Sequence, residues 1–232
     1  MRNTCLSKEK TPVITIDGPS GVGKGTVAGE LAETLGWHFL DSGAIYRLLA
    51  LTIVQNGQVL NASPDQWAKM AKELHIRFAK QRIYLDGHDV TDAIRDESIG
   101  LLASKVSAIS SVREALLERQ RAFAQAPGLV TDGRDMGSVV FPSACLKFYL
   151  DAAPEVRARR RERQLKDRGI NVTFVDLLED IKKRDQQDSS RLIAPLIIPE
   201  GAVTIDTSFL NKTQVFEKVM SYVYRHLDVG NV

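Results

Sequence analysis

The sequence is poor in cysteine, in net charge and in long apolar runs, and each shortage excludes a class of protein. Two cysteines, Cys5 and Cys145, make neither a disulfide framework nor a metal site, which suits thiols in a reducing compartment. Thirty-one Lys and Arg against 29 Asp and Glu give a formal net charge of +2, so no global attraction to nucleic acid or membranes is expected. No run approaches the roughly 18 apolar residues of a membrane helix, and the polar N-terminus, MRNTCLSKEK, lacks the apolar centre of a secretory signal.

What remains is the composition of an ordinary globular protein. Hydrophobic residues make up 44% of the chain and charged residues 26%, which excludes a disordered or collagen-like protein. A chain of 232 residues can bury a sizeable core, as one large domain or as a core with inserted subdomains. We therefore expect a soluble, cytoplasmic monomer that binds neither nucleic acid nor a membrane.

Short apolar strands alternate with helices along most of the chain. Residues 12–17 and 146–150 have the β-branched and apolar character of buried parallel strands, and residues 26–35 have helical spacing. Between them, residues 75–78 and 82–85 alternate polar and apolar side chains around Lys80-Gln81, which predicts a small antiparallel meander. The pattern as a whole predicts an α/β fold, with a parallel sheet covered by helices on both faces and a small insert.

The strongest functional signal is the glycine-rich segment GPSGVGKGT, which lies between a predicted strand and a predicted helix. Glycines let successive backbone N–H groups cradle phosphate oxygens, and the helix N-terminus adds partial positive charge. A lysine in a solvent-facing loop would reach the β- and γ-phosphates of a triphosphate. A glycine-rich turn without a ligand is the weaker alternative. The predicted ATP-binding residues are Gly18, Pro19, Ser20, Gly21, Val22, Gly23, Lys24, Gly25 and Thr26.

One position departs from the usual phosphate-loop motif. Gly25 stands where Ser or Thr normally follows the lysine, and Thr26 comes one residue later. The missing hydroxyl predicts that the Mg²⁺ accompanying ATP is held largely by phosphates, waters and acidic groups. No direct metal motif is present, and Asp132, at the end of a predicted strand, is a candidate contact through water. This loop argues against a GTPase or a motor ATPase and is common in small nucleotide kinases.

Three further polar clusters follow predicted strands or lie on predicted helices. In LDSGAIYR, Ser42 is equally a ligand or a mere helix N-cap, and Arg47 is a possible phosphate contact. In TDGRDMG, two acids and an arginine around a glycine favour a polar site over a salt-bridged turn. In RDQQDSSR, Arg184, Asp188 and Arg191 share a helical face that could be merely solvated. The arginine run at 157–163 is a surface helix or a nucleic-acid patch, but it lacks the interleaved aromatic residues of the latter.

Taken in order, these segments resemble the bacterial cytidylate kinases, a family of nucleoside monophosphate kinases. The matching words are ITIDGPSGVGKGT, LDSGAIYR, VREALLERQRAF, DGRDMG, FYLDA and RD followed by Asp188 and Arg191. The resemblance runs from about Thr11 to the last helix. It implies a three-layer P-loop core (residues 11–61 and 98–232), an inserted domain for the monophosphate at 62–97, and a short helical lid at about 154–170.

The resemblance also implies an activity and a role for each site residue. It implies transfer of the γ-phosphoryl group of ATP, with Mg²⁺, to CMP or dCMP, giving CDP or dCDP and ADP. The alternatives are a kinase for UMP or AMP and a P-loop regulator without kinase activity. Gln187 and Ser189 stand where some relatives carry more arginine. The residues implied are Ser42, Ser104, Arg113 and Asp135 at the cytosine; Arg184 and Asp188 at the sugar; Arg47, Arg134 and Arg191 at the acceptor phosphate; Arg157 and Arg161 on the lid; and, as the catalytic set, Lys24, Arg134, Arg157, Arg161 and Arg191.

Overall fold

The computed structural model describes residues 11–57, 62–79, 82–167 and 169–227. Cys5 and the N-terminal segment, the predicted core boundary at residue 61, the Lys80-Gln81 connection, residue 168 of the predicted lid and the chain beyond residue 227 lie outside these ranges. The strands are β1 (Val13–Asp17), β2 (His38–Asp41), β3 (Ile76–Ala79), β4 (Arg82–Leu85), β5 (His88–Asp89), β6 (Leu129–Gly133), β7 (Leu146–Asp151) and β8 (Val203–Asp206). The helices are α1 (Lys24–Leu35), α2 (Ser42–Gln55), α3 (Pro64–Glu73), α4 (Glu97–Val106), α5 (Ser110–Arg121), α6 (Pro154–Lys166), α7 (Phe174–Ser189) and α8 (Lys212–His226).

The centre of the fold is a five-stranded parallel sheet in the order β2-β6-β1-β7-β8. Every residue of β1 and β6 is buried, as expected for β-branched and apolar strands covered on both faces. Helices supply that cover: Leu49 of α2 and Leu116 of α5 belong to one apolar cluster, and Leu31 of α1 and Val219 of α8 belong to another. These three layers confirm the predicted α/β fold with a parallel sheet.

The predicted meander is confirmed as a three-stranded antiparallel sheet of β3, β4 and β5. Asp86 and Gly87 connect β4 to β5 with φ angles of 49° and 82°, the left-handed values that a two-residue hairpin turn requires. Leu85 and Val90 join the apolar cluster that contains Leu49, so the meander packs on one side of the same core. Its treatment as a separate domain stays a prediction.

Two helices differ from their predicted bounds. Helix α1 begins at Lys24, two residues before the predicted start, because Gly23 already provides its N-cap. Helix α7 ends at Ser189, so Arg184 and Asp188 are helical, whereas Arg191, which was expected on the same helical face, follows the helix. The last turn of α7 lacks apolar side chains and is held instead by ion pairs through Asp185 and Asp188. No helix in the described ranges is both long enough and apolar enough to span a membrane.

Candidate active site

The carboxyl ends of β1, β2 and β6 bring three predicted polar segments to one edge of the sheet. Asp41 of β2 lies opposite Asp132 of β6, and Asp17 of β1 lies opposite Gly133. Ligands of open α/β sheets bind beyond the carboxyl ends of the strands. A cleft of about 130 Å³ opens there, lined by Asp41, Ser42, Gly43, Tyr46, Arg47, Gly100, Ala103, Ser104, Ser107, Asp132, Gly133, Arg134, Asp135, Arg184, Asp188 and Arg191.

The phosphate loop follows β1 and has the backbone that the glycine-rich sequence predicts. A Cβ on Gly18 would lie 2.0 Å from the carbonyl oxygen of Leu150, so only glycine fits this close approach to β7. Gly21 and Gly23 have φ angles of 81° and 95°, which favour glycine. Gly23 caps α1 without a side-chain hydrogen bond, and the first N–H groups of the helix are therefore suited to an anion.

Lys24 is buried rather than solvent-facing, so that expectation is wrong. Its side chain folds back over the loop, where the ammonium group donates a 2.7 Å hydrogen bond to the carbonyl oxygen of Pro19, and only 6% of the residue is exposed. Burial and, to a smaller extent, the charge of Arg134 lower the pKa of Lys24 to about 7, while Asp132 and Asp17 oppose the shift. An arriving phosphate would favour the charged form of this lysine.

Asp132 has an unpartnered oxygen beside the start of α1. The residue is 7% exposed, and its buried Oδ1 has no hydrogen-bond partner among the residues that the structure describes. Burial, followed by the charge of Asp41, raises the pKa of Asp132 well above its usual range. A Cβ on Gly25 would lie 3.9 Å and 4.0 Å from the two carboxylate oxygens, so the departure from the usual motif leaves this flank uncrowded.

These residues fit a magnesium ion held mainly by its nucleotide. Mg²⁺ commonly takes one or two carboxylates together with substrate phosphates and waters, and the orphaned Asp132 oxygen is such a carboxylate. Within the described ranges no three His, Cys, Asp or Glu side chains are grouped as a metal site. Phosphates and waters would therefore supply most of the ligands.

The cap of α2 is Asp41, not Ser42. Asp41 Oδ1 accepts a 3.0 Å hydrogen bond from the amide of Ala44, so the interpretation of Ser42 as the N-cap is wrong. Ser42 is the first helical residue, is buried, and lines the cleft. One turn later, Arg47 reaches the same cleft and donates a 2.7 Å hydrogen bond to the carbonyl oxygen of Ile94.

A buried ion pair joins Arg113 of α5 to Asp135, which follows β6. The Arg113 guanidinium donates to Asp135 Oδ2 and, at 3.1 Å, to the carbonyl oxygen of Ser107. Arg113 lies over the ring of Tyr46, 5.8 Å from its centroid. Arg113 is 8% and Asp135 is 4% exposed, so this pair is buried rather than part of a surface turn. Asp135 lines the cleft, whereas Arg113 is not among the lining residues of the described ranges. Ser104 lines the same cleft from α4.

A second group of charges gathers around Asp188. Arg134 donates to Asp188 Oδ2 at 2.8 Å, and Arg191 donates to Asp188 Oδ1. Asp188 is 2% exposed, so the interpretation of its segment as a solvated face is wrong. Arg184 lines the cleft one helical turn earlier. The segments DGRDMG and RDQQDSSR are thus joined by ion pairs.

Neither predicted lid arginine lines the cleft. Arg157, only 2% exposed, forms a two-bond ion pair with Asp185 (2.9 Å and 2.5 Å) and donates to the carbonyl oxygen of Ser20 at 3.2 Å. It therefore ties α6 and α7 to the phosphate loop, and a purely surface role is wrong for it. Arg161 pairs with Glu97 at 2.8 Å, and Arg184 lies 4.0 Å from the same carboxylate.

Several contributing residues were not predicted from the sequence. Tyr46 lines the cleft, whereas Asp17, Glu97 and Asp185 hold other protein groups in place. Asp17 carried a weak signal, since it directly precedes the phosphate loop, and Tyr46 lies inside LDSGAIYR. Glu97 and Asp185 lie among ordinary charged helix residues, and their partners come from other elements.

A phosphate loop and an arginine-rich cleft at one sheet edge are the features of a P-loop kinase. The family model "Cytidylate kinase" matches residues 14–225, and the chain belongs to this family. A cytidylate kinase of Colwellia psychrerythraea (strain 34H / ATCC BAA-681) is 52% identical over 220 residues, covering 93% of this chain and 97% of the relative. One of Nitrosococcus oceani is 50% identical over 224 residues, covering 94% and 98%. A solved gluconokinase of Sinorhizobium meliloti 1021, 17% identical over 93% of each chain with a TM-score of 0.46, is too distant to bear on function.

Proposed function

We propose that this kinase transfers the γ-phosphoryl group of ATP to the 5′-phosphate of CMP or dCMP, and that the phosphate loop and the cleft bind the two nucleotides. The observation that carries the proposal is the buried Arg113–Asp135 pair, which lies in the same site as the arginines around Asp188. The family supplies the monophosphate kinase activity and the cytidine specificity. A regulator that binds one nucleotide has no need of this second polar cleft.

The donor half consists of residues 18–26. The amides of the loop and of the first turn of α1 would hold the phosphates of ATP, because they are unpaired donors at the positive end of a helix dipole. Lys24, at the centre of this loop, would bind the transferring phosphoryl group. Mg²⁺ would neutralise phosphate charge, and Asp132 is the residue placed to contact it, directly or through water.

The acceptor half would recognise cytosine by its hydrogen-bonding edge. Cytosine offers a donor at N4 beside acceptors at N3 and O2, so a carboxylate and a hydroxyl together with an arginine complement it. Asp135 and Ser42 would accept from N4, Arg113 would donate towards N3, and Ser104 would add a hydroxyl. Burial of Arg113, Asp135 and Ser42 removes competing water from these bonds.

The remaining cleft residues would hold the sugar and the acceptor phosphate. Asp188, fixed by two arginines, would accept hydrogen bonds from the ribose hydroxyl groups beside Arg184. Arg47, Arg134 and Arg191 would clamp the acceptor phosphate. The reaction needs no covalent enzyme intermediate, because positioning and electrostatic stabilisation carry most of phosphoryl-transfer catalysis.

The proposal includes closure of the insert and the lid over the bound nucleotides. Movement of the insert (62–97) and of the lid (about 154–170) would exclude water from the reacting phosphates and so suppress hydrolysis of ATP. Arg157 and Arg161 would then act from the lid. The monomeric state and the cytoplasmic location remain predictions.

The deciding experiment is a coupled ADP-release assay with CMP, dCMP, UMP and AMP at fixed ATP and Mg²⁺. We expect turnover with CMP and dCMP and far less with UMP and AMP. Equal efficiency on all four monophosphates would overturn the cytosine pocket. ATP binding without any monophosphate-dependent ADP release would overturn the kinase function itself.

A further inference from the structure

Asp17 is a buried carboxylate to which the proposed function gives no ligand. It is the last residue of β1, directly before the phosphate loop, and is fully buried. Its Oδ1 accepts a 2.9 Å hydrogen bond from the amide of Met136, and its Oδ2 accepts a 2.7 Å hydrogen bond from the amide of Gly137. Both oxygens therefore serve the backbone of a segment remote in sequence.

That segment is a single π-helical turn, Met136–Val140, which follows Asp135. The first amides of a helical turn have no acceptor inside it and need one from elsewhere. Asp135 gives no side-chain cap, since its carboxylate pairs with Arg113. Asp17 supplies the acceptors instead, and hydrogen bonds to an ionised acceptor are stronger than neutral ones. The turn is thereby fastened to the end of β1.

Gly137 allows this close approach. A Cβ at this position would lie 2.8 Å from Thr15 Oγ1, 3.0 Å from Pro199 Cγ and 3.2 Å from Asp17 Oδ2. Interiors packed to this density have no room for the added methyl group unless the turn moves. A glycine at position 137 is therefore needed for the turn to lie this close to the carboxylate of Asp17.

We propose that Asp17 is a positioning residue, which sets the acceptor pocket at a fixed place relative to the phosphate loop. One residue both ends the strand that leads into the loop and binds the two amides that follow Asp135. Through that backbone it places Arg134 and Asp135, so the inference rests on the proposed function of these two residues. Phosphoryl transfer needs donor and acceptor in near-attack geometry, and small displacements lower its rate.

The first test is Asp17→Asn, which keeps the shape but replaces one acceptor oxygen with an NH₂ donor facing an amide donor. We expect the Kd for CMP, measured by isothermal titration calorimetry, to rise by about tenfold or more. The Kd for ATP should change less, by about threefold at most, because Asp17 offers ATP no direct contact and acts on it only through the charge of Lys24. The matched control is Asp151→Asn at the end of β7, whose carboxylate accepts the amide of Ala152 at 2.8 Å; both constants should be unchanged.

A second variant, Gly137→Ala, moves the turn while leaving the carboxylate intact, and it decides the question if Asp17→Asn does not fold. It should show the same CMP-selective loss. Unchanged CMP binding in either folded variant, or equal losses for both nucleotides, would overturn the positioning role. A third variant, Asp135→Asn, distinguishes failure of the positioning role from failure of the proposed cytosine pocket. If Asp135→Asn weakens CMP binding and Asp17→Asn does not, only the positioning role fails; if neither weakens it, the proposed pocket fails as well.

Discussion

The phosphate loop and the acceptor cleft lie at the same sheet edge but are built in opposite ways. The loop is one contiguous segment, and its shape depends on glycine φ angles. The cleft collects side chains from α2, α4, α7 and the turn after β6, and its shape is fixed by ion pairs among these side chains and with Arg113 of α5. A backbone site can therefore be read from a short motif, whereas a side-chain site exists only once the strand order has brought distant segments together.

The largest effect should come from the one side chain on which the backbone site depends. Lys24→Met should lower turnover by about 10²–10³, since one preorganised electrostatic contact is lost, and should leave CMP binding intact. The fold should survive, because methionine fills similar space and the change removes a buried charge. The matched control is Lys147→Met, whose ammonium group donates to the carbonyl oxygen of Glu200 at 3.2 Å. Turnover of Lys24→Met within a few-fold of the parent would contradict the donor assignment.

The next effect concerns base choice in the side-chain site. We expect the parent to prefer CMP over UMP by at least about a hundredfold in kcat/KM, because uracil presents an acceptor to Asp135 and a proton to Arg113. Arg113→Met should lose most of this preference without changing the KM for ATP.

A stability control belongs with that experiment. Arg113→Met alone leaves Asp135 buried without its partner, which costs about 3–5 kcal/mol of the free energy of unfolding. Adding Asp135→Asn should restore part of this stability, as measured by urea unfolding, without restoring the preference for CMP. A parent enzyme that uses UMP as well as CMP would contradict the base assignment.

Substitutions at two aspartates of α7, three residues apart, should affect the acceptor cleft and the phosphate loop separately. Asp188 holds Arg134 and Arg191 in the cleft, and Asp185 holds Arg157 against the phosphate loop. Asp188→Ala should raise the KM for CMP by about tenfold or more and leave that for ATP nearly unchanged; Asp185→Ala should do the reverse. Equal changes in both constants for either variant would mean that the residue serves the fold generally.

The smallest expected effect is the uptake of a proton when ATP binds. Burial lowers the pKa of Lys24 to about 7, so at pH 8 the lysine is largely neutral before ATP binds. The phosphates favour its charged form, so binding at pH 8 should take up about one proton, and ATP affinity should fall as pH rises above 7. Calorimetry in two buffers of different ionisation enthalpy measures this uptake, and Lys24→Met should abolish it. Identical uptake in parent and variant would assign the proton to another group.

The sequence predicts the fold well, because the spacing of apolar residues and the turn residues between elements are local properties of the chain. The β-branched run before Gly18, the helical spacing over residues 26–35 and the antiparallel meander are all confirmed. The end of α7 was not located from the sequence, because the polar stretch after Arg184 has no apolar period and gains its stability from partners outside the helix. Ser42 and Asp41 are adjacent cap formers, and only geometry shows that Asp41 is the cap.

The candidate site likewise has features that are local in sequence and features that depend on tertiary packing. The motifs name most of the cleft residues, but burial of Lys24, the orphaned oxygen of Asp132 and the bonds of Asp17 to Met136 and Gly137 depend on three-dimensional packing. A glycine at position 137 suggests a close packing contact, but the sequence does not show that the contact is with Thr15 and Asp17 of β1. The ligand roles of the cleft residues stay predictions until binding is measured.

The pairing of arginines with carboxylates has a consequence for ionic strength. Arg113, Arg134 and Arg191 each contact an aspartate, so an incoming nucleotide exchanges one anionic partner for another instead of neutralising bare positive charge. Such an exchange moves little net charge, and buried pairs are screened less by salt than exposed ones. The affinity of the cleft for a monophosphate should therefore fall less steeply with added salt than that of an exposed arginine cluster. On the proposed function, the acidic partners would make the site selective for a phosphate attached to the right base and sugar, rather than for phosphate itself.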